Sequence, residues 1–278
     1  PHLIDQLIED VNFTSATGTK ETPALSSKTL QRDEELPDHK ATWSYRSVIG
    51  KLNFLLQSTR PELAVAVHQC ARFSVAPKTS HTDAVHHIIK YLLGSREKGL
   101  IFTPDLTKSF DVYADANFCG LWNRDTAMDD PSTAKSRTGF VMTLGGCPIS
   151  WTSKLQTEIA LSTTEAEYIA LSQAMRELLP LRRLLLEMAT AMKLPGIEDS
   201  IIKSTVFEDN NGAIATATSV KMTPRTKHIA VKYHFFKSHI TDANGIFLDK
   251  IESAIQKADI FTKGLAPHKF GEMRMLLC

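Results

Sequence analysis

The chain has 278 residues, of which 42% are hydrophobic and 23% are charged, values ordinary for a globular protein. It contains no run of 18 or more apolar residues, so the sequence predicts no membrane span. The formal net charge of +1 by itself points to no nucleic-acid partner. The four scattered cysteines argue against a disulfide framework or a zinc site, and they fit a reducing compartment.

The beginning of the chain has the composition of a joining segment. Its first residues, PHLIDQLIED, contain neither an initiator Met nor the basic-then-apolar pattern of a signal peptide. We therefore expect a piece of a longer chain. Thr, Ser, Pro, Asp and Glu dominate the stretch after Val11, which predicts a linker or joining segment over residues 1–42.

Charge is distributed in blocks although it nearly cancels overall. Residues 1–40 carry eight Asp and Glu against four Lys and Arg, and residues 45–100 carry eight Lys and Arg against three acids. Residues 210–240 contain no acid and five Lys or Arg. Such a block is either an ordinary solvated face or a contact for phosphates, and the charge count alone leaves both open.

Residues 43–107 are predicted to form a small helical unit. Tyr45, Val48, Ile49 and Leu52 follow the three-to-four spacing of an amphipathic helix, and similar spacing continues toward Gly94. The unit carries only a basic face, and the chain lacks the palm carboxylates of a polymerase.

The pattern changes to that of a mixed α/β domain, predicted over residues 108–265, with residues 266–278 as a C-terminal tail. Residues from Phe110 to Asp115 alternate as a strand does, and Gly145-Gly146 between two apolar runs predicts a tight hairpin. A long amphipathic helix is expected from Ser162 to Leu179, with a break or kink at Pro180. The rest predicts a strand at 204–209, a helix at 210–217, a helix at 228–240, a strand at 245–251 and a helix at 254–263.

Four acidic residues in this order suit a metal-dependent phosphodiester hydrolase, because two divalent ions need several carboxylates converging from different elements. The candidates end strands or begin helices: Asp115, Glu167, Asp209 and Asp259. An Asp in such a place is more often a turn or capping residue, so each one alone proves little. Glu167 is more informative because it heads an apolar stripe with Leu171 and Leu178, where an unpaired charge is costly.

Glu165 is the neighbour with which Glu167 is most easily confused. If Ser162 caps the helix, Glu165 falls at the third helical position and its side chain reaches back to the cap. If Thr164 were the cap, Glu167 would take that position instead.

Several segments resemble the ribonuclease H domain of copia-type retrotransposon polyproteins. They are YADANFCG, SRTGFVMTLGGCPISWTSKLQTEIALSTTEAEYIAL, VFEDNNGAI, RTKHIAVKYH and KADIFTKGL. Upstream, YRSVIGKLNFLLQSTRPELAVAVHQCARF and YLLGSREKGLIF are similar to the thumb or connection segment that comes after the reverse-transcriptase palm in these polyproteins. The resemblance extends from about residue 43 to about residue 269.

This resemblance implies a ribonuclease H-like, five-stranded mixed sheet with flanking helices. It also implies an Asp-Glu-Asp-Asp catalytic and metal-binding set, which carries over to Asp115, Glu167, Asp209 and Asp259. The implied activity is hydrolysis of the RNA strand of RNA–DNA hybrids with two Mg²⁺ ions, for which Mn²⁺ substitutes. The implied partners are the hybrid and the upstream palm domain of the same polyprotein, and the implied location is the cytoplasm, within a retroelement particle, or the nucleus.

We expect the nucleic acid to be bound by residues at the predicted strand and helix ends and in the basic stretch. They are Asn117, Arg137, Ser162, Asn210, Arg225, Lys227, His228 and Lys232. RNA would be selected through minor-groove 2′-hydroxyl contacts, and affinity would come from Lys and Arg on phosphates.

Two features of the sequence depart from the family pattern. Two alternative functions also remain open. Related enzymes have a His before the last helix, whereas residues 240–258 contain none; His228 and His234 are substitutes or simply surface histidines. The palm signature Tyr-x-Asp-Asp is absent, so no polymerase activity is expected. The alternatives are a DNA-acting integrase or resolvase of the same fold, and a non-catalytic nucleic-acid-binding remnant of a retroelement.

Overall fold

The computed structural model describes residues 2–14, 16–24, 29–105, 107–125, 128, 130–193, 202–219, 229 and 231–277. These residues fall into two compact units. A helical unit lies within residues 1–101, 121–134 and 260–278, and a sheet unit lies within residues 102–120 and 135–259. Among the described residues, no helix is both long and apolar enough to cross a membrane.

The helical unit is built from five α-helices and short 3₁₀ turns in the parts that are described. The α-helices are α1 (His2–Asp10), α2 (Tyr45–Ser58), α3 (Ala64–Ala71), α4 (Thr79–Gly94) and α7 (Pro267–Leu277). The 3₁₀ turns are Pro61–Leu63 and Pro131–Ala134. The apolar residues that predicted helix α2 are buried in it, as the spacing required.

Both ends of the chain contribute to this unit, whereas the sequence patterns suggested a joining segment and a tail. Ile4 and Leu7 of α1 are buried, so residues 2–10 pack as a helix and do not form a linker. At the other end Phe270 and Met273 of α7 are buried, and the Phe270 ring meets the Tyr91 ring edge-on at 5.6 Å. The reason is tertiary: these short apolar stripes acquire partners only from distant parts of the chain.

The sheet unit contains a five-stranded mixed sheet of order β3-β2-β1-β4-β5. Its strands are β1 (Phe110–Asn117), β2 (Arg137–Leu144), β3 (Cys147–Leu155), β4 (Ser204–Glu208) and β5 (Ile246–Lys250). The first three strands pair antiparallel, and β4 pairs parallel with both β1 and β5. With flanking helices, this is the fold class that the resemblance implied, and that prediction is confirmed.

The hairpin between β2 and β3 turns at Gly145 and Gly146. Their φ angles are +58° and +81°, which is the left-handed backbone that a tight hairpin turn requires at both central residues. Glycine adopts this conformation without the steric cost that a Cβ atom brings. The prediction of a tight turn at this dipeptide is confirmed.

Helix α5 (Thr163–Ala191) covers the sheet, and α6 (Asn211–Thr218) packs beside it. Buried residues of α5, among them Ile169, Leu171 and Leu178, join Val112 and Val206 of the strands in one hydrophobic core. The sequence suggested a helix to Leu179 with a break or kink at Pro180, whereas the helix continues through Pro180 to Ala191. A proline removes one backbone hydrogen bond, which a 29-residue helix anchored by its buried first half tolerates.

Two predicted α-helices are 3₁₀ turns instead. The described part of 228–240 forms turns at Val231–Tyr233 and Phe235–His239, and the segment 254–263 contains Ser253–Ile255 and Lys257–Phe261; a further turn is Asp242–Asn244. Tyr233 and Phe236 are buried three residues apart, a spacing that both helix types share, so the apolar pattern did not distinguish them.

Candidate active site

Three of the four predicted carboxylates converge at the carboxyl ends of the inner strands β1 and β4. Asp115 lies in β1, Asp209 directly follows β4, and Glu167 lies in the second turn of α5. One oxygen of each lies within 4.8 Å of the other two. The parallel register pairs Val112 with Val206, so three residues further along both strands Asp115 and Asp209 come side by side.

The start of α5 directs Glu167 toward the sheet. Ser162 is the N-cap, and its Oγ accepts a hydrogen bond from the Glu165 N–H at 3.1 Å. The Glu165 carboxylate reaches back to the Leu161 N–H at 2.7 Å, one residue before the expected cap amide. Thr164 is therefore not the cap, and Glu167 heads the buried stripe that contains Leu171 and Leu178.

Burial and neighbouring acids dominate the electrostatics of Glu167. Burial raises the pKa of the Glu167 carboxyl to about 11, and the charges of Asp115, Glu208 and Asp209 contribute to this rise. Its Oε2 atom is buried and has no hydrogen-bond partner among the described residues. Clustered carboxylate oxygens with such an atom suit a hard divalent cation, so the residues present fit Mg²⁺ or Mn²⁺.

Asp259 stands apart from this group. It lies in the 3₁₀ turn Lys257–Phe261 and is only 6% exposed, but it is not one of the three carboxylates of the described chain whose oxygens lie within 4.8 Å of one another. Its segment is nevertheless connected to the sheet edge, because Ser253 Oγ donates to Asp209 Oδ2 at 2.6 Å.

The residues predicted to bind nucleic acid occupy different environments. Arg137 is 3% exposed and donates to Ser153 Oγ at 3.1 Å, so its guanidinium lies within the sheet unit. Asn210 caps α6 by accepting the Ala213 N–H at 3.0 Å, as Ser162 caps α5. Lys232 pairs with Glu158.

The structure gives fewer contacts for the remaining predicted nucleic-acid-binding residues. Asn117 ends β1 and is partly exposed. Arg225, Lys227 and His228 lie outside the described residues. Of the two candidate histidines, His234 shares a hydrogen bond between its Nδ1 and the Tyr168 hydroxyl at 2.8 Å, and burial lowers the pKa of its ring.

Sequence reasoning missed two buried polar residues beside this group. Glu208, at the end of β4, is 0% exposed, and burial raises the pKa of its carboxyl well above the usual range. Because side chains alternate between the two faces of a strand, Glu208 shares the buried face of β4 with Ser204 and Val206, and this spacing could have predicted its burial. Gln256 is also 0% exposed, and no local pattern of the sequence marks it.

The chain is similar over nearly its whole extent to polyproteins of plant transposons, whereas no family model matches it. It is 33% identical over 273 residues to the retrovirus-related Pol polyprotein from transposon TNT 1-94 of Nicotiana tabacum, and the match covers 96% of this chain and 19% of that polyprotein. It is 30% identical over 261 residues to the corresponding polyprotein from transposon RE2 of Arabidopsis thaliana, covering 94% of this chain and 16% of that one.

Among solved structures, a ribonuclease H1 isolated from compost is 16% identical, with a TM-score of 0.34, and the match covers 60% of this chain and 91% of that one. The chain spans less than a fifth of the length of the two polyproteins that it resembles. The chain is therefore homologous to one part of the retrovirus-related Pol polyproteins from transposons.

Proposed function

We propose that this chain is the ribonuclease H part of a copia-type retrotransposon reverse transcriptase and hydrolyses the RNA strand of RNA–DNA hybrids. The observation that carries the proposal is the convergence of Asp115, Glu167 and Asp209, with one oxygen of each within 4.8 Å of the other two. Such a cluster is costly in a folded protein unless cations neutralise it. Homology to part of the Pol polyproteins supports a nuclease role in a retroelement.

The three carboxylates would hold divalent ions, with Asp259 completing the set from its neighbouring turn. Bound Mg²⁺ would supply a water activated at neutral pH and charge stabilisation for the leaving oxygen. The chain's own residues provide the rest. Ser162 and Glu165 fix the start of α5 and so orient Glu167, and Ser253 holds one oxygen of Asp209.

The predicted nucleic-acid contacts extend this proposal to substrate binding. We propose that the backbone of the hybrid binds the basic stretch that includes Arg225, Lys227, His228 and Lys232, and that Asn117, Ser162 and Asn210 contact the substrate beside the carboxylates. Lys232 would exchange its pairing with Glu158 for a phosphate. Arg137, being buried, would act by shaping β2 and β3 and would not touch phosphate directly.

The test of this function is substrate choice. The full chain is incubated with Mg²⁺ and four labelled duplexes of one sequence: RNA–DNA hybrid with either strand labelled, duplex RNA and duplex DNA. We expect cleavage of the RNA strand of the hybrid alone, and none in EDTA. Cutting of duplex DNA would favour an integrase-type or resolvase-type nuclease, and tight hybrid binding without any cleavage would identify a non-catalytic remnant.

A further inference from the structure

Glu208 is a buried carboxylate that has no ion-pair partner among the described residues. It ends β4 on the same face as Ser204 and Val206 and is 0% exposed. It directly precedes Asp209, one of the three carboxylates whose oxygens converge. Among the described residues no Lys, Arg or His forms an ion pair with it.

The two oxygens of Glu208 have different surroundings. Oε1 accepts a hydrogen bond from the Asn210 N–H at 3.0 Å, which fixes the turn that carries Asp209 between β4 and α6. Oε2 is buried and has no hydrogen-bond partner in the described part of the chain. A buried carboxylate with an unpartnered oxygen costs several kcal/mol in order of magnitude unless a proton or a cation compensates it.

The turn alone does not explain why this residue is an acid. A glutamine at position 208 would present the same carbonyl oxygen to the Asn210 N–H and would carry no charge into the interior. What only the carboxylate provides is negative charge next to Asp209. Glu208 is not one of the three residues whose oxygens lie within 4.8 Å of one another, so it is not a member of the converging group itself.

We propose that Glu208 is a positioning residue of the divalent-metal centre, an outer carboxylate that holds the Asp209 turn and increases cation affinity through its charge. The proposal rests on the proposed function only in that Asp115, Glu167 and Asp209 bind a divalent cation. Outer carboxylates that support metal ligands typically change affinity by about 10-fold to 100-fold when they are removed.

The experiment measures Mn²⁺ binding by calorimetry and the thermal midpoint in EDTA for the full chain and three variants. Glu208→Gln removes the charge and keeps the acceptor, and Asp115→Asn removes one of the three converging carboxylates. Asp249→Asn is the control, because Asp249 is an exposed acid on the neighbouring strand β5, in register with Phe207.

We expect Glu208→Gln to weaken Mn²⁺ binding by about 10-fold while its midpoint in EDTA rises or stays equal. A residue with only a structural role would instead lower the midpoint in EDTA and leave Mn²⁺ affinity unchanged, and that result would overturn the proposal. Asp249→Asn should change neither quantity. A chain that binds no Mn²⁺ at millimolar concentration would also overturn it.

Failure of the inference and failure of the proposed function give different results. If the wild-type chain binds Mn²⁺, depends on Glu208 for affinity and leaves the hybrid intact, the outer-carboxylate role stands and the nuclease function falls. If the chain cleaves the hybrid and Asp115→Asn weakens binding while Glu208→Gln does not, the nuclease function stands and the role of Glu208 falls.

Discussion

Gln256 donates a hydrogen bond from its Nε2 to the carbonyl oxygen of Ala114 at 2.9 Å, and both residues are completely buried. Ala114 directly precedes Asp115 in β1. The Gln256 Oε1 atom in turn accepts the Ala258 N–H at 3.3 Å, next to Asp259. One side chain therefore joins the strand that carries the first acid to the turn that carries the last.

Replacing Gln256 with Leu keeps most of the volume and removes both hydrogen bonds. We expect the sheet unit to lose about 1–3 kcal/mol of stability, because the Ala114 carbonyl would be left buried and unpaired. Hybrid cleavage should fall by more than the folded fraction does, since the Asp259 turn is no longer fixed. Denaturant unfolding and cleavage rates, both measured well below the midpoint, test this; wild-type cleavage in a destabilised variant would contradict it.

Loss of charge at Glu165 should affect mainly stability, whereas loss of charge at Glu167 should affect mainly cleavage. Glu165→Gln weakens the bond to the Leu161 N–H and should cost at most about 1 kcal/mol, the magnitude of a helix cap, with cleavage near normal. Glu167→Gln should fold normally and lose cleavage by orders of magnitude. The pair serves as its own control, and the reverse pattern of activities would show that the wrong face of α5 points to the site.

The stability of the metal-free chain should depend on pH through Glu167. Its pKa is raised to about 11 in the folded state by burial and by Asp115, Glu208 and Asp209. Protonation of Glu167 contributes to the free energy of unfolding. This contribution is fully present below the unfolded-state pKa of about 4.3, and it is lost as the pH rises through the folded-state pKa.

Glu167→Gln should consequently be more stable than the wild type at pH 8 in EDTA, by at least about 1 kcal/mol, and equally stable at pH 4. Urea unfolding at the two pH values measures the difference. An advantage of the same size at both would mean that the effect comes from packing and that charge is not its cause.

Gly212 allows α6 to approach the start of α5. A Cβ atom at this position would lie 2.6 Å from Thr164 Oγ1 and 3.1 Å from Thr164 Cγ2. Gly212→Ala should therefore destabilise the protein by about 1–3 kcal/mol through overpacking. Thr164→Ala removes the two Thr164 atoms and leaves only Asn210 Oδ1, at 3.1 Å, so the double variant should be more stable than the sum of the single effects predicts. Strict additivity would show that the two residues do not collide.

The strands and the central helix of the fold were predictable because their signals are local. The alternation around Val112, the Gly145-Gly146 dipeptide and the stripe below Glu167 each lie within one element. The helix α7 was not predicted, because its apolar residue Phe270 becomes informative only beside Tyr91, far away in the chain. The 3₁₀ turn at Phe235–His239 was taken for an α-helix because its apolar residues satisfy both periods.

The residues of the candidate site also differ in whether a local sequence signal predicts them. The acids Asp115, Glu167 and Asp209 could be nominated from their places in single elements, and the parallel pairing of β1 with β4 then brings two of them together. The alternation along β4 marks Glu208 as inward-facing, but its place beside the acids is recognised only from the fold, and Gln256 is recognised only from its burial and its contact with β1. The sequence carries the identities of such supporting residues but does not show which groups they will face.

The most direct test of the central claim is a paired measurement of RNA-strand cleavage by the wild-type chain and by Asp115→Asn, purified side by side. Both proteins are first shown to be folded and to bind the hybrid with equal affinity. Each is then incubated in Mg²⁺ with an RNA–DNA hybrid whose RNA strand is labelled. Because Asp115 is proposed to bind the catalytic metal, we expect cleavage by the wild type and a loss of several orders of magnitude in Asp115→Asn. Equal cleavage by the two proteins, or equal cleavage by the wild type in EDTA, would contradict it.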